Sequence, residues 1–249
     1  MLAQVSSSPR LFYGWIVLAA CFLTTMMASG TMMAFGVFIT PLAEDMGWSH
    51  SALSFAYALS AIVSGVGVLA IGSLMHIYSL RLIFLLGVLV HGFGIYMTST
   101  AVSIETFYLW YGLVAALGRS TFFMSTTTLI TRWFEKRRGM AMGLMMAGNG
   151  LGPFVFSPLV TWLIFRWDWQ TAFVAMSITM TAVLILTFLL MRNHPHEMGL
   201  QPYGATGPST PAPASPSSSS TSSRTAQSVR SLWGSVLRHQ KFWTLAFIN

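Results

Sequence analysis

The chain has 249 residues, of which 54% are hydrophobic and 8% are charged, and its mean hydropathy is +0.66. So few charged residues cannot cover the surface of a water-soluble fold, and the composition therefore indicates an integral membrane protein. The net charge of +7 does not point to nucleic acid, because the basic residues are scattered between apolar runs rather than gathered on one soluble face.

Six apolar runs define the first part of the chain. A helix needs roughly 20 apolar residues to cross a bilayer, and runs of this length predict an all-α bundle. The first span covers residues 12–40 and ends at Pro41, and the second starts after a cap at Ser49 or Ser51 and reaches residue 75. The other four cover residues 82–98, 104–130, 139–165 and 169–191. We expect a transmembrane domain over residues 12–193, preceded by a short cytoplasmic tail at residues 1–11.

The positions of Lys and Arg predict the orientation of these spans. With both ends of the chain in the cytoplasm, eleven Lys and Arg residues lie on the inner side and only Arg166 lies on the outer side. Inner loops of membrane proteins carry such an excess. We therefore expect a multi-pass plasma-membrane protein, in a bacterium one of the inner membrane, with both termini in the cytoplasm.

The composition changes after the sixth span. Residues 194–228 are rich in Pro, Ser and Thr and lack hydrophobic periodicity, which predicts a disordered cytoplasmic linker. Residues 229–249 combine an amphipathic segment with the first turns of a seventh span. The chain therefore reads as truncated at the start of helix seven.

The stretch from Arg132 to Pro153 passes abruptly from a basic cluster into a glycine-rich apolar helix. Small residues recur there at a spacing of four, which places them on one helix face where another backbone can approach closely. We predict helix packing by Gly139, Gly143, Gly148, Gly152 and Pro153. An ordinary, tightly packed span stays open as the alternative to a mobile one.

Three motifs carry a resemblance to a known family. They are YGW at residues 13–15, RWFEKRRGMAMG at residues 132–143, and P-x-x-x-G-L-x-P-x-G at residues 195–204. With six spans, a linker and the start of a seventh, the chain resembles the N-terminal half of a major facilitator superfamily transporter. Within that superfamily it is similar to the monocarboxylate-porter and oxalate/formate-antiporter branch. The resemblance implies alternating access between two six-span halves, with span four lining a central cavity.

The loop between spans two and three departs from the superfamily's usual G-x-x-x-D-R-x-G-x-R. His76, Ile77 and Ser79 replace its acidic residue, its basic residue and its second glycine, so the usual charge network cannot form. The resemblance implies that cytoplasmic loops gate the substrate path, and whether this loop gates differently or poorly is open. The residues expected at this gate are His76, Arg81, Arg132, Lys136, Arg137 and Arg138.

Arg119 is the sharpest candidate for a substrate-binding residue. It lies near the middle of span four, where a charge costs about 2.5 kcal/mol or more, and the interiors of the six spans contain no carboxylate. Its guanidinium therefore meets backbone or hydroxyl oxygens, a partner outside these spans, or an anionic substrate, whose carboxylate would suit its fork of donors. Tyr108 and Thr126 lie on the same helical face, and Asn149 in span five faces either the cavity or another helix.

These observations predict secondary transport of a small organic anion, a monocarboxylate or an oxalate- or formate-like ion. The expected partners are that anion, the lipid bilayer, and a C-terminal six-span half or a second subunit. His91 is the one histidine inside a span, so proton coupling stays open beside a packed neutral role. The sequence shows no enzymatic constellation and no metal or cofactor motif. The alternative is a truncated fragment that does not transport, or a half-transporter that needs a second subunit.

Overall fold

The computed structural model describes residues 13–75 and 77–191, and within them it confirms an all-α architecture. Six stretches are long and apolar enough to cross a membrane. The first of these covers Tyr13–Met46 and the fourth covers Ile104–Trp133, and each of these two contains more than one helix. The elements are α1 (Tyr13–Met33), α2 (Phe35–Met46), α3 (His50–Leu74), α4 (Leu80–Thr98), α5 (Ile104–Phe107), the π-helix (Tyr108–Ala115), α6 (Ala116–Trp133), α7 (Arg138–Arg166) and α8 (Trp169–Leu190).

Short turns connect successive spans, so neighbouring spans run in opposite directions and the bundle has two distinct ends. The basic end carries Arg81 and the segment from Arg132 to Arg138, and the acidic end carries Glu44, Asp45, Glu105 and Asp168. The predicted linker and the segment after it, residues 194–249, lie outside the described residues, as does His76.

The first span is longer than its sequence predicts. The prediction that it ends at Pro41 is wrong, because α2 continues to Met46 with Pro41 inside it. The helical path is interrupted earlier, at Ala34, between α1 and α2. A proline inside a membrane helix is tolerated where neighbouring groups satisfy the carbonyl that it leaves without a donor.

Polar side chains cap the helices that begin at the acidic end. Ser49 caps α3, since its Oγ accepts a hydrogen bond from Ala52 N at 3.2 Å. Asp168 caps α8 in the same way, with Thr171 N donating to Oδ1 at 2.6 Å. Trp169 Nε1 also donates to Asp45 Oδ2 at 2.7 Å, which joins the end of the first span to the start of the sixth.

Close packing of α1 against α7 depends on two glycines. A Cβ atom added at Gly148 would lie 2.7 Å from Phe22 O, and one added at Gly152 would lie 2.7 Å from Gly30 N. Thr25 Oγ1 donates across this interface to Met145 O at 2.8 Å. Gly148 and Gly152 therefore let two backbones meet.

The other small residues of α7 lie on a different face. A Cβ atom added at Gly139 or Gly143 would meet no atom of the described residues within 4 Å, and both glycines are exposed. The two glycine series of the sequence thus point in different directions, and Pro153 lies in α7 beside the buried series. The packing of Gly139 and Gly143 against a helix stays a prediction, because both glycines lie on a surface that the described residues do not cover.

Candidate functional site

Arg119 lies in the first turn of α6, directly after the π-helix, and its side chain is half-buried. Its Nη2 donates hydrogen bonds to Ser64 Oγ at 2.9 Å, to Ser60 O at 3.2 Å and to Ser60 Oγ at 3.3 Å. All three acceptors belong to α3. One nitrogen of the guanidinium is therefore engaged on α3, while Nη1 and Nε donate no hydrogen bond within the described residues.

The two serines orient Arg119 without neutralising it. Ser64 Oγ donates its own proton to Ala116 O at 3.1 Å, and Ser60 Oγ donates to Tyr57 O at 2.9 Å, so each hydroxyl presents a lone pair to the guanidinium. These acceptors are uncharged. No carboxylate within the described residues pairs with Arg119, and its positive charge remains available to an anion.

A cavity of about 350 Å³ opens beside Arg119, between α1, α6 and α7. Arg119 is the one charged residue among those of its walls that the structure describes, and much of the remaining lining is apolar and flexible. The cavity therefore has room for a small organic ion. Its lining residues are Thr25, Ala28, Ser29, Met32, Met33, Arg119, Phe122, Phe123 and Asn149.

Asn149 shares this cavity with Arg119, so the structure brings two of the predicted substrate-binding residues together. Its side chain is exposed, and Nδ2 makes only a weak contact with Met146 Sδ at 3.4 Å. Thr25, by contrast, already donates to backbone carbonyls. The amide of Asn149 is thus a polar group that remains available to a bound molecule.

Tyr108 and Thr126 do not line this cavity. The Tyr108 hydroxyl donates to Ala52 O at 3.0 Å. Thr126 is fully buried, and its hydroxyl donates to Phe122 O at 2.8 Å. In this conformation both hydroxyls are therefore engaged by backbone carbonyl groups.

The π-helix explains why Tyr108 does not lie beside Arg119, although regular helical spacing predicts that the two share one helix face. Regular α-helical spacing places Tyr108 above Arg119, three turns away. Residues 108–115 instead form i→i+5 bonds, which give each turn about one residue more. The wider turns rotate the preceding residues relative to α6, so that Tyr111 takes a position near Arg119 while Tyr108 reaches the start of α3.

Tyr111 is the residue that sequence reasoning missed. It is 2% exposed, and its hydroxyl interacts with the side chains of Arg119 and Ser60. Ser60 and Ser64 were missed as well. Two serines four apart in a largely apolar span were the available signal, since that spacing places both on one helix face.

His91 is packed rather than open to the cavity. Its Nδ1 donates to Ala115 O at 2.6 Å, because a carbonyl oxygen can only accept, and the imidazole is 1% exposed. Nε2 has no partner among the described residues. The ring also meets the Phe122 ring edge to face, with centroids 5.5 Å apart.

The residues predicted for a gate lie at the basic end, except His76, which is outside the described residues. Arg81 lies over the ring of Phe188, 5.0 Å from its centroid. Arg132 is in the last turn of α6, Lys136 lies in the following turn, and Arg138 begins α7. Arg137 adopts the left-handed conformation, with φ 63°, as the N-cap of α7.

A larger cavity of about 560 Å³ lies between α3, α4 and α6. Its described lining contains no charged side chain, and much of it consists of exposed apolar residues such as Leu74, Leu82 and Leu117. Lipid chains can occupy such a groove in a bilayer. The described part of this lining has no cationic group to hold an anion, so the smaller cavity beside Arg119 is the candidate site.

Comparison with known sequences places this site in a family context. A sequence model described as Major Facilitator Superfamily matches residues 21–249. The chain is 28% identical over 176 residues to monocarboxylate transporter 13 of Bos taurus, covering 71% of this chain and 41% of that protein. It is 29% identical over 188 residues to MFS-type transporter 1 of Ophiocordyceps sp. (strain BCC 1869), covering 73% and 40%.

Human monocarboxylate transporter 12 is 27% identical over 177 residues, which cover 68% of this chain and 33% of the human protein. The chain therefore spans less than half the length of these curated relatives.

Proposed function

This chain belongs to the major facilitator superfamily, and from that premise we propose that its protein is a secondary transporter of a small organic anion. Members of this superfamily are transporters rather than enzymes. The proposed substrate is a monocarboxylate or an oxalate- or formate-like ion. The names of several relatives, monocarboxylate transporters among them, support this chemical class.

A single observation carries the proposal: the charge of Arg119 stands beside a cavity and has no carboxylate partner among the described residues. Ser60 and Ser64 hold one end of the guanidinium, and its remaining N–H groups are free to bind a carboxylate. Arg–carboxylate hydrogen bonds are charge-assisted and geometrically matched. In this proposal Arg119 binds the anion and Asn149 contacts it from α7.

We propose that a second six-span half, on the same chain or in a second subunit, completes the path of the substrate. The two halves then alternate access to a site near the middle of the membrane. Coupling to a proton would keep the movement of a monocarboxylate electrically neutral, and this coupling is part of the proposal.

The proposed orientation places the basic end in the cytoplasm, with both termini on that side. The excess of Lys and Arg at this end supports it. The membrane is then the plasma membrane, which in a bacterium is the inner membrane. Arg81, Arg132, Lys136, Arg137 and Arg138, with His76, would form the cytoplasmic gate.

Uptake of radiolabelled monocarboxylates and oxalate by proteoliposomes carrying the full-length protein tests this function. We expect Arg119→Gln to abolish uptake while the protein still inserts into the membrane. Arg166→Gln is the matched control, because Arg166 lies exposed at the acidic end, and it should leave uptake unchanged. Uptake retained by Arg119→Gln at the wild-type rate would overturn the proposal.

A further inference from the structure

The junction between the π-helix and α6 is held by side chains from two other spans. The π-helix ends at Ala115 and α6 begins at Ala116. On α4, His91 Nδ1 donates to Ala115 O at 2.6 Å, since a carbonyl oxygen can only accept. On α3, Ser64 Oγ donates to Ala116 O at 3.1 Å and accepts a hydrogen bond from Arg119 at 2.9 Å. A short series of hydrogen bonds therefore connects the junction with the guanidinium.

The backbone of α4 lies directly against this junction. A Cβ atom added at Gly94 would lie 2.6 Å from Ala115 N, and one added at Gly118 would lie 2.7 Å from His91 Cα. The imidazole of His91 is 1% exposed. Because the two backbones touch, the imidazole is enclosed at the junction, and its hydrogen bond to Ala115 O is a fixed contact.

His91 also lies behind one wall of the cavity. Its ring meets the ring of Phe122 edge to face, with centroids 5.5 Å apart, and Phe122 and Arg119 both line the cavity. Both residues lie in the first two turns of α6, so their directions depend on how α6 continues from the π-helix. Each α-helical residue turns the chain by about 100°, so loss of the extra residue in the π turn would rotate α6 relative to the preceding segment by about that angle.

We propose that His91 is a positioning residue of the anion site. Through its hydrogen bond to Ala115 O it keeps the π-helix in register with α6, and it thereby directs Arg119 toward the cavity. The imidazole does not touch the substrate, because it acts through the junction and through Phe122. The inference rests on the proposed function, since it requires that Arg119 bind an anion.

Two nearly isosteric side chains separate the hydrogen bond of His91 from the volume of its ring. Asn and Leu both branch at Cγ and are smaller than His, so His91→Asn and His91→Leu leave a similar space beside Phe122. The amide nitrogen of Asn can take the position of Nδ1 and donate to Ala115 O, whereas Leu has no donor. Ser177→Ala is the matched control, because Ser177 Oγ donates to Gly92 O at 2.8 Å, a bond of the same kind that joins α8 to α4.

The test is equilibrium binding of labelled propionate to the purified full-length protein, with thermal unfolding of each variant. His91→Asn should bind propionate within about threefold of wild type, and His91→Leu about tenfold more weakly, the factor that one hydrogen bond supplies. Ser177→Ala should unfold at a lower temperature and keep the wild-type affinity. His91→Asn should bind more tightly than His91→Leu whichever of the two unfolds at the lower temperature, and a purely structural role would not give this order.

Equal affinity of His91→Asn and His91→Leu for propionate would overturn the inference, and so would an equal loss of affinity in Ser177→Ala. If His91→Leu does not fold, His91→Phe supplies the same comparison, because it keeps an aromatic ring against Phe122 and removes the donor.

The outcomes also separate this inference from the proposed function. If Arg119→Gln loses propionate binding while a donor at position 91 makes no difference to affinity, the proposed function stands and this inference fails. If Arg119→Gln binds propionate as wild type does, the proposed function fails and the inference fails with it.

Discussion

At the scale of single residues, the charge of Arg119 is held by neutral oxygens. Hydrogen bonds to a charged group contribute about 1.5–3 kcal/mol each, so the contacts with Ser60 and Ser64 lower the cost of placing the guanidinium inside the membrane. They leave its net charge unchanged, because a hydroxyl and a carbonyl have no charge of their own. Arg119 is thereby positioned and still able to attract an anion.

Asp168 is a second residue whose charge has a defined structural use, at the acidic end. The hydrogen bond from Thr171 N lowers the pKa of its carboxyl below the ordinary value. Asp168→Ala removes the cap of α8 and should lower the stability of the protein by about 1 kcal/mol at pH 7. Thermal unfolding of the full-length protein in detergent measures this change.

The pH dependence of the same cap follows from the direction of the pKa shift. A carboxylate whose pKa is lowered on folding stabilises the protein fully above the ordinary Asp value, near pH 4, and loses this effect as the pH falls through the lower folded value. The difference in unfolding free energy between wild type and Asp168→Ala should therefore narrow below about pH 4. Asp168→Asn is the control, since Asn also caps helices but does not titrate. A difference in unfolding free energy between wild type and Asp168→Ala that stays constant from pH 7 to pH 3 would contradict the account.

At the scale of elements, the π-helix and the contact between α1 and α7 determine the geometry of the site. The π-helix selects which tyrosine lies near Arg119. The contact of α1 with α7 sets the distance across the cavity, because Ser29 and Asn149 lie on its two sides. A change in either element should alter substrate binding without touching Arg119.

Gly152→Ala tests the α1–α7 contact. The added methyl group would collide with backbone atoms of Met26 and Gly30, which cannot move as a side chain can. We expect a loss of about 1–3 kcal/mol in stability, the usual range for overpacking, measured as a lower unfolding temperature. Gly36→Ala is the control, because a methyl group there meets no atom within 4 Å; equal unfolding temperatures for the two variants would refute the contact.

At the scale of the whole molecule, the described spans leave one face of α7 open. Gly139 and Gly143 lie on this face, where an added Cβ atom would meet none of the described residues within 4 Å, and small residues are typical of close helix contacts in membranes. We predict that the remainder of the protein packs here. Gly143→Leu should then reduce uptake by the full-length protein while its amount in the membrane stays the same.

Leu186→Phe on α8 is the comparison for Gly143→Leu, because it also enlarges an exposed position, one where 57% of the side chain is accessible. It should leave uptake unchanged if that surface faces lipid. Equal uptake by Gly143→Leu and wild type would show that the glycine face has no partner in the assembled transporter.

The sequence predicts the larger features of this molecule because they depend on composition over long windows. Six spans, the cap at Ser49 and the deep position of Arg119 all follow from hydropathy and spacing. The break at Ala34 and the π-helix do not, since nothing in the local periodicity distinguishes an i→i+5 turn from an i→i+4 turn. Regular helical spacing therefore places Tyr108 beside Arg119, where Tyr111 lies instead. The partners of Arg119 on α3 depend on how two separate spans pack, which local sequence patterns do not specify.

The central claim is that Arg119 binds a carboxylate, and equilibrium binding of labelled propionate to the purified full-length protein tests it most directly. Propionamide has the same shape without the charge and should not compete. Loss of charge-assisted hydrogen bonds, at about 1.5–3 kcal/mol each, predicts that Arg119→Gln binds propionate at least about tenfold more weakly. Equal affinity of wild type and Arg119→Gln for propionate, or equal competition by propionamide, would contradict the claim.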